Sequence, residues 1–199
     1  MKKRPFKLRF WIFTFLGFLV LGALLFFGFE KVNFYPAFEV GQKKDSLNAV
    51  YVYHNGGISN IEGRNLTADG YNLGLKYQCV EFVKRYYYEH LNHKMPNSYG
   101  NAKDFFNPTL VDGQINKERN LIQFKNPSST KPKVNDLLIF GGTKFNKFGH
   151  VAIISEVTEN KIEIIQQNVA SSRESFKLKL RDGKWKVMDS QVLGWLGKR

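Results

Sequence analysis

The chain has 199 residues, 43% of them hydrophobic, with 30 basic against 17 acidic side chains and a formal charge of +13. That length excludes a multi-span transporter, and that apolar content excludes a disordered chain. A single cysteine excludes an intrachain disulfide and a cysteine-rich metal site.

Five of the positive charges (Lys2, Lys3, Arg4, Lys7 and Arg9) fall in residues 1–9, which hold no acid. The next twenty residues, Phe10 to Phe29, carry no charge. Twenty helical residues rise ~30 Å, the thickness of a bilayer's hydrocarbon core. The run is longer than the ~7–15-residue apolar region of a signal peptide, and Phe-Phe-Gly-Phe-Glu makes a poor cleavage site. The expectation is an uncleaved transmembrane helix over 10–29 behind a basic cytoplasmic tail at 1–9. The positive flank then places the rest of the chain on the extracytoplasmic side. Residues 30–48, with Pro36, Gly41 and no clear period, read as a juxtamembrane connector, and 49–199 as one folded domain. From Glu30 onward, 25 basic residues face 17 acidic ones, which favours polyanions or an acidic envelope. No internal repeat, low-complexity tract or nucleic-acid motif is present, so no nucleic-acid partner is expected.

In that domain, Tyr77 to Leu91 reads as a helix that starts near Cys79. Val80, Val83, Tyr87 and Leu91 recur at helical spacing, and Glu81 can pair with Arg85 at i, i+4. Asn107 to Lys133, with Pro108, Pro127 and Pro132, reads as a long surface excursion at the rim of a binding site. Asp136 to Phe140 is a short apolar run closed by Gly141-Gly142, a buried strand. His150–Val157 and Ile162–Val169 form a hairpin through Thr158–Lys161. Phe176–Leu180 and Lys184–Val187 flank Asp182-Gly183, a tight-turn signal. Lys177, Lys179, Arg181, Lys184 and Lys186 are spaced along one exposed face of that second hairpin. A helix followed by a mainly antiparallel sheet is an α+β arrangement.

A thiol attacks only as thiolate, and a helix N-terminus and an imidazole both favour that form. Cys79 has the first if the helix starts there, and the expectation is a lowered thiol pKa. His150 opens a strand directly after Gly149, where an imidazole can project into a cleft. The plain alternative for a lone cysteine is a small buried hydrophobe. His90 and His93 lie near the far end of the helix, too distant to serve Cys79, and His54 reads as a surface-loop residue. No cofactor site is visible, and no cluster suggests a metal.

The residues also carry a resemblance. Tyr77-Gln-Cys-Val-Glu-Phe-Val-Lys-Arg-Tyr-Tyr87 resembles the nucleophile helix of the CHAP family, the cysteine- and histidine-dependent amidohydrolases/peptidases. Its cysteine motif is most like that of glutathionylspermidine amidase domains. Val134–Phe140 resembles the strand before the family's histidine loop, Gly149–Ile154 the histidine strand, and Ile164-Ile-Gln-Gln-Asn168 its third motif. The four occur in family order over about residues 70–170. The resemblance implies a papain-like CHAP fold, a nucleophile helix packed on an antiparallel sheet. It implies that Cys79 attacks an amide carbonyl and that His150 takes and returns the proton. Asn168 matches the Asn of the family's Glu-Gln-Asn and would orient the imidazole. Gln166 stands where the family has Glu, so that position offers hydrogen bonds but no charge. Gln78 and the Cys79 N–H are candidates for the oxyanion hole; the alternative for Gln78 is a capping or surface role.

Three functions follow as expectations. The first is a membrane-anchored amidase/endopeptidase acting on peptidoglycan peptides. The second is an amidase on a glutathione–polyamine conjugate. The third is a catalytically idle module that binds wall peptides.

Overall fold

The computed structural model describes residues 6–29 and 38–198. Residues 1–5 of the expected tail and 30–37 of the expected connector lie outside the described residues. Helix α1 spans Phe6–Phe29. Its described side chains, 10–24, include exposed Phe10, Phe13, Phe15, Phe18, Leu21 and Leu24, with no polar face. Among the described residues no helix is long and apolar enough to cross a membrane.

Two short hairpins precede the second helix: β1 (Lys43–Leu47) with β2 (Val50–Tyr53), and β3 (Arg64–Leu66) with β4 (Asn72–Leu75). The folded domain therefore begins before Ala49. Lys43–Leu47, expected in the connector, pairs with β2, whose Val50 and Val52 enter the core. Helix α2 (Cys79–Glu89) starts where the motif suggested. Tyr77 has φ 65, which turns the chain sharply out of β4. Gly74, at φ 129, lets β4 pass close to the first turn of α2, since a Cβ there would lie 3.2 Å from the Glu81 backbone.

The remaining strands are β5 (Gln114–Asn116), β6 (Leu121–Lys125), β7 (Leu137–Phe140), β8 (His150–Val157), β9 (Lys161–Ile165), β10 (Arg173–Arg181), β11 (Lys184–Val187) and β12 (Val192–Gly197). They form one sheet in the order β11-β10-β9-β8-β7-β12-β6-β5, with every pairing antiparallel. The expected excursion over 107–133 contributes two of these strands. Leu121 and Phe124 are buried, and β6 pairs with β12, so the polar residues and prolines flank a strand instead of replacing it. The first hairpin is β8–β9, and β9 ends at Ile165, short of Val169. The second is β10–β11. Arg181 pairs with Lys184 across Asp182 (φ 50) and Gly183 (φ 71), both in the left-handed region that a two-residue hairpin turn needs.

Alternation along β7, β8 and β9 separates two apolar layers. Leu137, Ile139, Val151, Ile153 and Ile165 face α2, packing with Phe82, Val83, Tyr86 and Tyr87, all 0% exposed. Leu138, Ala152, Ile154 and Ile164 face the other way, with Trp195, Leu178 and Val187. Burying one such side chain contributes roughly 1.5–3 kcal/mol, which locks α2 to the sheet. Two hydroxyls fix its rotation: Tyr86 donates to Asn135 Oδ1 at 2.6 Å, and Tyr87 to the Asn135 carbonyl at 2.8 Å. Tyr86 and Tyr87 are core and Tyr88 is half-buried.

Candidate active site

Cys79 is the first residue of α2, and Gln78 before it is extended (φ −84, ψ 159). The sulfur accepts from the backbone N–H groups of Val151, Val80 and Cys79 itself. Val151 follows His150 directly. The sheet and α2 have therefore brought the Cys79 sulfur to the start of β8, one residue along the chain from His150.

His150 occupies the first rung of β8, opposite Phe140 of β7. Gly149 makes the approach possible: at φ 73, a Cβ would stand 2.5 Å from the Phe140 carbonyl oxygen. The preceding loop is tied back by Lys103 N–H to the Phe148 carbonyl at 3.0 Å. The imidazole Nε2 lies 2.9 Å from Gln166 Oε1. The Gln166 amide nitrogen donates at 3.2 Å to the Ser171 carbonyl and at 3.2 Å to Glu174 Oε2. Both of those partners accept, so Gln166 must turn its oxygen to the ring. An oxygen can only receive there, so His150 carries its proton on Nε2. Nδ1 keeps its lone pair and is the nitrogen left to act as base.

The electrostatics depart from the sequence expectation. Burial pushes the Cys79 thiol up to about 11, against the three amide hydrogen bonds that pull it down. Burial pulls the His150 imidazole down to about 4, against the Gln166 bond that raises it. Removal from water outweighs the partial charge of the helix N-terminus. Both shifts favour the uncharged form of each group, a neutral thiol and a neutral imidazole.

Asn168 does not hold the imidazole. β9 ends three residues earlier, and Asn168 turns to φ 64. Its amide nitrogen donates to Gln78 Oε1 at 2.5 Å and to the Ile58 carbonyl at 2.9 Å, while its oxygen receives from Asn55 at 2.9 Å. Gln78 completes this network by donating to the Asn60 carbonyl at 2.8 Å. The Gln78 side chain thus fastens loop 55–60 to the start of α2, its amide nitrogen also lying 3.5 Å from the Ile58 carbonyl. The main-chain amides of the first turn of α2 lack intrahelical acceptors, and those of Cys79 and Val80 lie at the sulfur.

Gln167, Glu174 and Asn55 escaped the sequence reading, and His54 differs from it. Gln167 accepts from Tyr53 N–H at 2.7 Å and donates to the Gln78 carbonyl at 3.0 Å and to Glu81 Oε2 at 2.9 Å. It joins β2 to the nucleophile turn, and the Gln-Gln-Asn run itself was the available signal. Glu174 stands behind Gln166, and no local motif marks it. Asn55 and His54 are 3% and 4% exposed, so the Tyr-His-Asn-Gly-Gly turn is packed rather than solvated. Glu81 points away from the thiol and pairs with Arg85 at 2.6 Å, as expected, but this pair is buried. Among the described residues no group of three or more His, Cys, Asp or Glu could hold a metal.

A helix N-terminal cysteine at the mouth of a strand led by histidine, on an antiparallel sheet, is the arrangement of a cysteine-dependent hydrolase. The CHAP domain model matches residues 69–168. The chain belongs to the CHAP family, the cysteine- and histidine-dependent amidohydrolases/peptidases. Trypanothione synthetase of Crithidia fasciculata is 30% identical over 135 residues, 65% of this chain and 21% of its own. The bifunctional glutathionylspermidine synthetase/amidase of Escherichia coli K12 is 30% identical over 139 residues, 62% of this chain and 22% of its own. The chain thus spans about a fifth of the length of these curated relatives. Among solved structures, the wild-type endolysin LysIME-EF1 aligns at TM-score 0.38 with 20% identity, over 70% of this chain and 59% of that one.

Proposed function

We propose that the protein is a membrane-anchored cysteine amidase or endopeptidase that hydrolyses an amide bond in peptidoglycan peptides, with its domain on the extracytoplasmic side. The observation that carries the chemistry is the position of the Cys79 sulfur at the Val151 amide, next in the chain to a histidine whose free nitrogen is Nδ1. Sγ attacks the amide carbonyl as His150 Nδ1 takes the thiol proton. The oxyanion gathers at the first-turn amides of α2. His150 then gives that proton to the leaving amine and a thioester remains. Water attacks the thioester with His150 again as base, releasing the acid and restoring the thiol.

The uncharged run 10–29 and its basic flank support the anchor and the outward topology. The wall as substrate rests on that topology and on charge. Lys177, Lys179, Arg181, Lys184 and Lys186 share one side of the β10–β11 hairpin, with Lys179 directly opposite Lys186 and Arg181 opposite Lys184. Opposed like charges destabilise a hairpin, and an anionic envelope offsets that repulsion. The second reading is an amidase on a glutathione–polyamine conjugate. It is favoured by the similarity of about 30% to the glutathionylspermidine enzymes.

The full chain, purified in detergent, tests both. Under the first reading it releases new amines from peptidoglycan, and Cys79→Ala reduces the rate by ~10⁴-fold or more. Cleavage of the soluble conjugate with no release from wall would install the second reading. Binding to wall without release by either protein would make the domain an idle module.

A further inference from the structure

His150, Gln166 and Glu174 stand in a file across three neighbouring strands. Gln166 follows the end of β9 and its N–H donates to the Ser172 carbonyl at 2.9 Å. The β8–β9 register pairs Ile154 with Ile164, and the β9–β10 register pairs Ile164 with Glu174. Continued past Ile165, these registers put Gln166 diagonal both to His150 on one side and to Glu174 on the other. All three lie on the same face, within the reach of diagonal neighbours.

A glutamine at this position has a weakness that a carboxylate lacks. Its two ends are opposite in hydrogen-bonding sense, and a turn about χ3 exchanges them. With the oxygen toward the ring, His150 keeps its proton on Nε2 and its base on Nδ1. With the nitrogen toward the ring, Nε2 becomes the acceptor and the proton moves to Nδ1. The nitrogen required for catalysis is then occupied, so the orientation of one neutral amide decides whether the thiol has a base.

Two groups fix that orientation from behind, the Ser171 carbonyl and the Glu174 carboxylate, each at 3.2 Å from the amide nitrogen. The carboxylate is the stronger acceptor. It is also uncommitted: among the described residues no cation lies within ion-pair distance of Glu174. The adjacent Arg173 is spent on Asp45 at 2.9 Å and Glu163 at 2.9 Å.

We propose that Glu174 is a positioning residue. It holds the Gln166 amide with its oxygen toward His150, sets the imidazole tautomer, and, through the polarised amide, supplies the negative charge that Gln166 itself lacks. This deepens the reading of His150 as the base and depends on it. As the imidazolium forms, its charge is answered one residue further out.

The test uses ¹⁵N-histidine NMR of the full chain in micelles, read on His150, beside kcat and KM. Wild type should show the Nε2–H tautomer. Glu174→Leu, at an exposed site where folding is not at stake, should populate the Nδ1–H tautomer and lower kcat about tenfold with KM unchanged. Glu174→Gln keeps an acceptor oxygen and should restore the tautomer but only part of kcat. In a Gln166→Glu background a carboxylate meets His150 directly, and Glu174→Leu should then cost nothing or raise kcat by removing a facing carboxylate. An unchanged tautomer in Glu174→Leu would overturn the proposal, as would an equal loss of kcat in both backgrounds. The NMR arm needs no turnover. A tautomer that shifts in an enzyme without wall or conjugate activity would sustain the role of Glu174 while removing the proposed substrate.

Discussion

Gln166 and its chain neighbours Gln167 and Asn168 feed two different polar networks, and the two use charge in opposite ways. On the Gln166 side, the chain His150–Gln166–Glu174 runs outward and ends at an exposed carboxylate. On the Gln167 and Asn168 side, Gln78, Asn55 and Gln167 lead inward to the Glu81–Arg85 pair, whose side chains are 2% and 7% exposed. The first network is open to solvent at its end and can answer a proton that arrives on His150. The second is sealed, and its acid and base neutralise each other within it. In the proposed mechanism, chemistry belongs to the network whose charge is free to respond, and scaffolding to the one whose charge is spent.

The sealed network should show the largest effect. Arg85→Met leaves the Glu81 carboxylate buried without its cation and should lower stability by ~3–5 kcal/mol, seen as an early denaturant midpoint with an unchanged slope. A loss below ~1 kcal/mol would place that pair among ordinary surface contacts. His150→Ala should do the reverse. It should lower kcat/KM by ~10³-fold with little change in midpoint. Parallel losses in both measurements would erase the distinction between the networks.

Asn168→Ala sharpens the comparison at closer range. It frees loop 55–60 from the start of α2 and should cost about 1 kcal/mol of stability and less than about tenfold in kcat/KM, with the His150 tautomer intact. A tautomer that changes in this variant would return the orienting role to Asn168. The smallest effect is a shift in pH. With the thiol near 11 and the imidazole near 4, His150 is neutral and can accept a proton at every pH above about 4. Thiolate accumulates only as pH rises toward 11, so the rate of Cys79 alkylation by iodoacetamide should have its midpoint above the ~8.5 of free cysteine. A midpoint below that value would restore the resting ion pair expected from the helix N-terminus alone.

Local pattern exposed much of this. The apolar period of 80–91 located α2, the β-rich runs located β8 and β9, and Asp182-Gly183 located the β10–β11 turn. Motif order then singled out Cys79 and His150. The misses share a cause. β6 and β12 are short strands within polar surroundings, and they are strands because each finds a partner far along the chain. Lys43–Leu47 has a mixed sequence and belongs to the domain because β2 pairs with it. Asn168 follows the expected hairpin register on paper, but β9 stops at Ile165 and the diagonal Gln166 takes the bond instead.

By itself, the sequence determined the helix with its N-terminal thiol, the strand with its leading histidine, and the amides at 166–168. Those follow from spacing and propensity, which act over a few residues. Only the tertiary structure decided which amide meets the imidazole, which ring nitrogen is left free, and that burial moves both Cys79 and His150 toward their uncharged forms. These depend on register between strands and on the water excluded when α2 closes over the sheet, and both arise from contacts that the linear chain does not contain.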